Sequence, residues 1–453
     1  MTPGADTLAH TLKTRHVTMI SLGGIIGAGI FVGSSAAIHL AGPAVLFTYA
    51  LCGVLVFVIM RMLGEMALAR PGVGSFSGYA ALGLGPWAGF VSGWLYFYFW
   101  IVTIAVEAIA GANLLAPLIS APVWVTSAGL IAVMTAVNLM SVRAYGEFEF
   151  WFAALKVLTI VAFIGIGAAY LFLFGPGAAA VLRGFQDHGG LFPLGWAAVF
   201  TAVPVVIFSM MGSEVATIAA VETENPGRNV VRASRTVTLR ILFFYVGSIS
   251  LIVALLPWRQ VVPGNSPFTA TLDLIHIPGA AEIMTVVIFT AVMSCLNSAI
   301  YVTSRMLFEM ARRGDAPAPF GKVSGRRVPA IGILVSSVLG FAVVLSSILS
   351  PKGIFVFLLQ SSGATILSVY MLIILSQIQL RRQLDANKEP LEVRVWLFPW
   401  VSIVSAAAIM AVLVMMAFSP DQVIQVALCA AVFAASVVAY FVRVEVARRR
   451  AHA

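Results

Sequence analysis

Gly23-Gly24-Ile25-Ile26-Gly27-Ala28-Gly29-Ile30-Phe31 lies in the middle of the first long apolar segment of the chain. A helix in a bilayer carries one glycine cheaply. Four within seven residues remove the side chains that stiffen it. Main-chain groups freed by such a break cannot face lipid and have to be buried in protein or line a cavity. The sixth apolar segment holds a second break, at Phe208-Ser209-Met210-Met211-Gly212-Ser213-Glu214. Interrupted helices at matching places in the two halves of a membrane chain point to a binding site for a transported solute.

Composition supports the bilayer. Of 453 residues, 60% are hydrophobic and 10% charged, where a soluble domain carries about 25% charged residues. The mean hydropathy is +1.01. The length suits about a dozen spans of roughly 20 residues and leaves no room for a soluble domain. Cys52, Cys295 and Cys429 all stand in apolar runs and read as small buried hydrophobes, with no disulfide or metal spacing. The segment after Lys13, Arg15 and His16 is too long for a signal-peptide core, so it is expected to stay as the first span.

Hydrophobic patterning predicts twelve spans, near 17–40, 43–69, 86–113, 123–141, 148–174, 195–220, 238–256, 280–310, 329–349, 353–379, 396–418 and 422–442. Lysine and arginine orient them. With the N-terminus inside, 23 of the 27 fall on the cytoplasmic side; only Arg183, Arg259 and Lys352 fall outside, and Lys156 lies within a span. Both termini are then cytoplasmic. The net charge of +9 is a topology signal and excludes a nucleic-acid footprint.

The first ten spans read as two fives. The glycines at 27 and 29 are matched by Gly212, about 185 positions later. An odd number of spans per unit inverts the second unit relative to the first. The expected organisation is a cytoplasmic N-terminus over 1–16, a first five-helix repeat over 17–174, a second, inverted one over 195–379, two extra helices over 396–442, and a basic tail over 443–453.

The chemistry gathers at the breaks. A half-helix N-terminus offers bare N–H groups and roughly half a positive charge, which suits a carboxylate. Ile26, Gly27, Ala28, Gly29 and Ile30 are the candidates, with the amides of Ala28, Gly29 and Ile30 as donors. A tight helix crossing would use such glycines too, but the second break favours the site. At that break the released carbonyls of Phe208, Ser209 and Met210 would accept from an ammonium, near Gly212. Together the breaks trap a zwitterion, with Phe208 as a gate or as plain core. Glu214 either caps the next half-helix, takes a proton or meets the substrate.

Lys156 lies about 13 Å into the fifth span, where a lysine costs at least about 2.5–3.5 kcal/mol unless partnered. It reads as a proton carrier or a fixed substitute for a sodium ion, against the alternative of snorkelling to the interface. Tyr96, Trp100, Thr103 and Glu107 share one helical face that could stack on and neutralise an amine. Asn297 and Ser298 are polar groups in an apolar run, fit to touch substrate or to bond across helices. Arg61/Glu65 and Arg305/Glu309, spaced by four, read as local ion pairs. The six histidines show no ligand spacing.

Arg15 to Ile20, Gly27 to Gly33, Gly146-Glu147-Phe148-Glu149-Phe150-Trp151-Phe152 through Lys156, and Ser294 to Ser298 resemble the bacterial amino acid transporter family of the amino acid–polyamine–organocation superfamily. Arg61 to Met66, Gly74 to Ser77, Gly93 to Tyr96 and Arg312 to Ala318 are most similar to its γ-aminobutyrate permease branch. The similarity runs from about residue 12 to 445. It implies an all-α membrane protein of twelve transmembrane helices with the LeuT-type 5+5 inverted repeat and discontinuous helices 1 and 6. It also implies uptake coupled to protons, with Lys156 standing where related transporters bind sodium, and loops at Gly27–Gly29 and Phe208–Glu214 as the binding site. The branch often carries Phe where this chain has Met210.

The expectation is a proton-coupled importer of a small amino acid such as γ-aminobutyrate. Its alternatives are an exchanger, or a permease for proline or aromatic amino acids. It is not an enzyme and uses no cofactor, drawing on the proton gradient. Its partners are the amino acid, protons and the lipid of the inner (plasma) membrane, and it acts as a monomer or weak oligomer.

Overall fold

The computed structural model describes residues 26–71, 73, 75–140, 142–175, 177, 181, 189–212, 241–349 and 353–452, with side chains left out at 142–148, 241–242 and 450–452. Among these residues the structure is helical with no strand. Its helices are α1 (Ala28–Phe31), α2 (Gly33–Ala41), α3 (Val45–Ala69), α4 (Phe76–Leu84), α5 (Pro86–Leu115), α6 (Val123–Met140), α7 (Val142–Ala169) and α8 (Ala197–Thr201). They continue as α9 (Val203–Ser209), α10 (Ser248–Leu255), α11 (Pro267–Ile275), α12 (Ala280–Arg312), α13 (Ala330–Val344), α14 (Ile354–Ala386), α15 (Trp400–Phe418) and α16 (Val423–His452). Single π-helical turns at Tyr170–Phe174 and Ile241–Gly247 extend α7 and lead into α10.

Local chemistry sets the ends. Ser75 caps α4 by accepting from the Gly78 amide at 3.2 Å, and Gly85 stops it with φ +100°, a conformation that costs glycine little. Pro86 then opens α5 at the position where a missing N–H does no harm. Ser266 and Pro267 open α11 in the same way. The sixth expected span is interrupted twice: α8 gives way at Ala202, where Pro204 cannot supply a helical N–H, before α9 runs on to Ser209.

Nine helical segments among the described residues are long and apolar enough to cross a membrane. One of them, Gly33–Ala69, has 37 residues and would measure about 55 Å if straight, against a hydrocarbon core of about 30 Å. It is broken at Gly42, where φ is +59°. Large apolar side chains point outward along these helices, among them Trp151, Leu158, Phe172, Ile283, Val338 and Phe418. Such a surface is at home in lipid and would be a liability in water.

The described residues fall into two compact units. One draws on the described parts of Met1–Gly53, Trp100–Ser213 and Thr238–Leu359; the other draws on those of Val54–Phe99 and Gln360–Ala453. In the first, α12 is the central element and packs on α6, α7, α11, α13 and α1. Polar groups fasten it and its neighbours: Asn138 Nδ2 donates to Asn297 Oδ1 at 2.7 Å, and Thr135 and Ser337 share a 2.7 Å bond between α6 and α13.

The second unit is held at one end by a buried ion pair. Arg381 on α14 donates to Glu65 on α3 at 2.7 Å, and Glu65 also accepts from Gln377 and from the Val395 amide. This corrects the expected pairing of Glu65 with Arg61. Arg61 instead donates to the Arg394 carbonyl and lies over the Trp396 ring. Arg305 likewise turns to the Tyr301 carbonyl and ring instead of to Glu309. For Arg61 an i,i+4 pair worth a few tenths of a kcal/mol yields to partners from another part of the chain, whereas Arg305 bonds within its own helix, to the turn before it.

Candidate functional site

Ile26 and Gly27 precede the first described helix and are buried, Gly27 in extended conformation; α1 starts at Ala28. The first N–H groups of a helix lack intrahelical partners. Here one is taken by a distant side chain: the Ala28 amide donates to both carboxylate oxygens of Glu107, at 3.2 and 3.1 Å. Glu107 reaches this point from α5 and is 3% exposed. The anion at the helix start is therefore the protein's own. The sequence placed Glu107 on an aromatic face that could neutralise an amine; in the structure it accepts from a main-chain amide.

The second break is described on one side only. α9 ends at Ser209, the chain tightens as the Met210 and Met211 amides bond to the Ile207 and Phe208 carbonyls, and Gly212 takes φ +95°. The Ser209 carbonyl accepts from the Tyr245 hydroxyl at 2.5 Å. Of the carbonyls expected to be released, those of Phe208 and Ser209 are thus engaged. Glu214 lies outside the described residues, as do the first part of the first expected span and the continuation of the sixth.

These two helix ends meet. A Cβ added to Gly29 would lie 2.7 Å from Ser209 Cα and 3.5 Å from the Phe208 ring. Only glycine lets the positive start of α1 approach the negative end of α9 backbone to backbone. Gly27 is equally confined: its Cβ would run into Cys295 Sγ and sit 2.9 Å from Glu107 Oε1. Ile30, Phe208 and Met210 are buried around this contact.

Lys156 is 0% exposed, so it does not snorkel. Its ammonium donates to Ser294 Oγ at 2.9 Å and to Cys295 Sγ at 3.7 Å, and lies 3.8 Å from Glu149 Oε1. Ser294 in turn donates to Glu149 Oε2 at 2.6 Å. The Cys295 thiol donates to the Ile26 carbonyl at 3.4 Å. The lysine is thereby linked through α12 to the segment that begins α1. Glu149, Ser294, Cys295 and Tyr245 were not singled out in the sequence as site residues. For Glu149 a signal existed: seven positions before Lys156 is two helical turns, which puts both on one face of α7.

The remaining expected residues are distributed. Asn297 is tied to Asn138, and Ser298 is buried beside it. Trp100 and Thr103 are buried on the half of α5 that carries Glu107. Tyr96 belongs to the other unit, where it packs edge-on against Phe76 at 4.5 Å and stacks on Phe99 at 6.1 Å. Among the described residues no group of three His, Cys, Asp or Glu is arranged to hold a metal ion.

A helical chain with an apolar exterior, whose interior buries a lysine–glutamate pair and two abutting helix ends, defines a polytopic membrane protein built around a polar core. Residues 16–452 match the amino acid permease family. The chain is 48% identical over 423 residues to the γ-aminobutyric acid permease of Bacillus subtilis (strain 168), covering 92% of this chain and 90% of that one. It is 45% identical over 424 residues to the γ-aminobutyric acid permease of Escherichia coli (strain K12), covering 92% and 91%. It is 39% identical over 436 residues to an aromatic amino acid transport protein of Corynebacterium glutamicum, covering 94% of each. The chain belongs to the amino acid permease family, and the resemblance to the γ-aminobutyrate permease branch is borne out.

Proposed function

We propose that this permease imports a small zwitterionic amino acid, γ-aminobutyrate first among them, together with protons by alternating access. The observation that carries the reading is the contact of the α1 start with the α9 end at Gly29 and Ser209. Helix ends of opposite polarity placed together suit a molecule that bears both charges. In this reading the amides of Gly29 and Ile30 take the substrate carboxylate. The end of α9 and the carboxylate of Glu107, already fixed on the Ala28 amide, face the ammonium. Met210, buried at that end, would help set the side-chain length accepted.

Twelve spans are part of the proposal. Dividing Gly33–Ala69 at Gly42 and adding the shorter segments around Ala197–Ser209 and Ser248–Leu255 to the long helices gives that number. In a 5+5 inverted repeat the helix that starts at residue 28 and the one that ends at residue 209 would be counterparts running in opposite senses. Both termini would then be cytoplasmic.

The test is uptake into proteoliposomes with an imposed proton gradient. γ-Aminobutyrate is compared with proline, aromatic and cationic amino acids. Gradient-driven accumulation of γ-aminobutyrate, collapsed by a protonophore and lost in Lys156→Ala, is the expected result. Exchange that ignores the gradient would mark an antiporter, and preference for an aromatic amino acid would move the substrate assignment.

A further inference from the structure

We propose that Glu149 is the inward proton acceptor for Lys156, with the Ser294 hydroxyl as the relay between them. The inference rests on the proton-coupled reading above and adds the route the proton takes. Both side chains are 0% exposed, at a place where an unanswered charge is expensive. Ser294 Oγ accepts from the lysine ammonium at 2.9 Å and donates to Glu149 Oε2 at 2.6 Å. The direct ammonium–carboxylate separation is 3.8 Å, beyond a hydrogen bond. The serine is therefore the connected path.

The step balances. The Nζ–H bond of Lys156 breaks as a bond forms to Ser294 Oγ, while the Ser294 O–H bond breaks as one forms to Glu149 Oε2. The products are a neutral amine, an intact serine hydroxyl and a neutral carboxylic acid. No net charge is created in the core, and a salt bridge becomes a neutral pair. The hydroxyl must turn back before it can serve again, which separates one proton from the next. Glu149 precedes Lys156 by two turns on α7, about 10 Å nearer the start of that helix, which the charge distribution places at the cytoplasm. The other titratable groups facing the lysine among the described residues are Cys295 and, beyond it, Glu107, whose carboxylate is held on the Ala28 amide. Those groups lie toward the helix ends, so the pair with Glu149 forms a separate branch away from the substrate.

The test uses the full chain in proteoliposomes, with γ-aminobutyrate as the probe and a pH-sensitive dye inside. Two readouts are taken: substrate counterflow at equal pH, and proton entry with net accumulation under a gradient. Expected for Glu149→Gln is counterflow retained with proton entry and accumulation lost. For Ser294→Ala proton entry slows, and Ser294→Thr, which keeps a hydroxyl, restores it. Glu149→Asp is measured alongside, with melting temperature, so that misfolding in Glu149→Gln is recognised; slowed proton entry with counterflow intact in the aspartate form supports the relay. Proton entry equal to the parent's in both Glu149→Gln and Ser294→Ala overturns it while leaving proton-coupled transport standing. A parent chain that carries substrate without protons overturns both.

Discussion

Gly29 shows how much a single residue can decide. The atom that a Cβ would strike is Ser209 Cα, part of the main chain, so no rotamer change makes room. Gly29→Ala is expected to cost about 1–3 kcal/mol in overpacking and to abolish uptake, seen as a lowered melting temperature with no transport. Gly27→Ala meets a side chain, Cys295 Sγ, so uptake lost in Gly27→Ala should return in part when Cys295→Gly is added. Tyr245→Phe leaves the Ser209 carbonyl without its hydroxyl donor; about 1–3 kcal/mol of stability should go with it, with weaker substrate protection in a thermal-shift titration. The glycines were legible because their effect on a helix is local. The partners of Glu107 and Ser209 were not, because a contact across 79 residues leaves no periodicity in the chain.

At the scale of elements, local pattern found the helices and tertiary contacts adjusted their ends. The expected span over 280–310 is α12 at Ala280–Arg312. The span expected to stop at 379 continues to Ala386, where Arg381 turns back to Glu65 and Asp385. The basic tail after 442 stays helical, supported by an i,i+4 pair of Glu445 and Arg449 at 3.0 Å. Glu65→Ala would strip the Gln377 amide and the Val395 N–H of their buried acceptor and leave the Arg381 guanidinium only Asp385, which is partly exposed. A loss of roughly 3–5 kcal/mol is expected, against a small effect of Arg61→Ala, read as melting temperatures in detergent.

Glu389, outside the spans, behaves differently from Glu65. The Arg70 guanidinium hydrogen-bonded to it holds its carboxyl below the usual carboxylate range. A group with a depressed folded pKa stabilises above its unfolded pKa and loses that contribution as pH falls through the folded value. Glu389→Gln should therefore flatten only the acid end of the melting temperature–pH curve, below the ordinary carboxylate pKa. The effect should shrink in high salt because both side chains are partly exposed.

For the whole molecule, the strongest constraint is that 23 of 27 lysines and arginines fall on one side of the expected topology. This bias depends on the placement of all twelve spans at once, so a single misplaced span would reverse every loop after it. Arg259 and Arg326 test it from opposite faces, since both are exposed and lie in connections between helices. The native Cys52, Cys295 and Cys429 are buried, which keeps the background low without removing them. In intact cells a membrane-impermeant maleimide should label Arg259→Cys and spare Arg326→Cys. Permeabilised cells should give both. Labelling of Arg326→Cys from outside would turn the termini outward. It would also reverse the direction in which Glu149 lies from Lys156, so that the same relay would lead to the exterior.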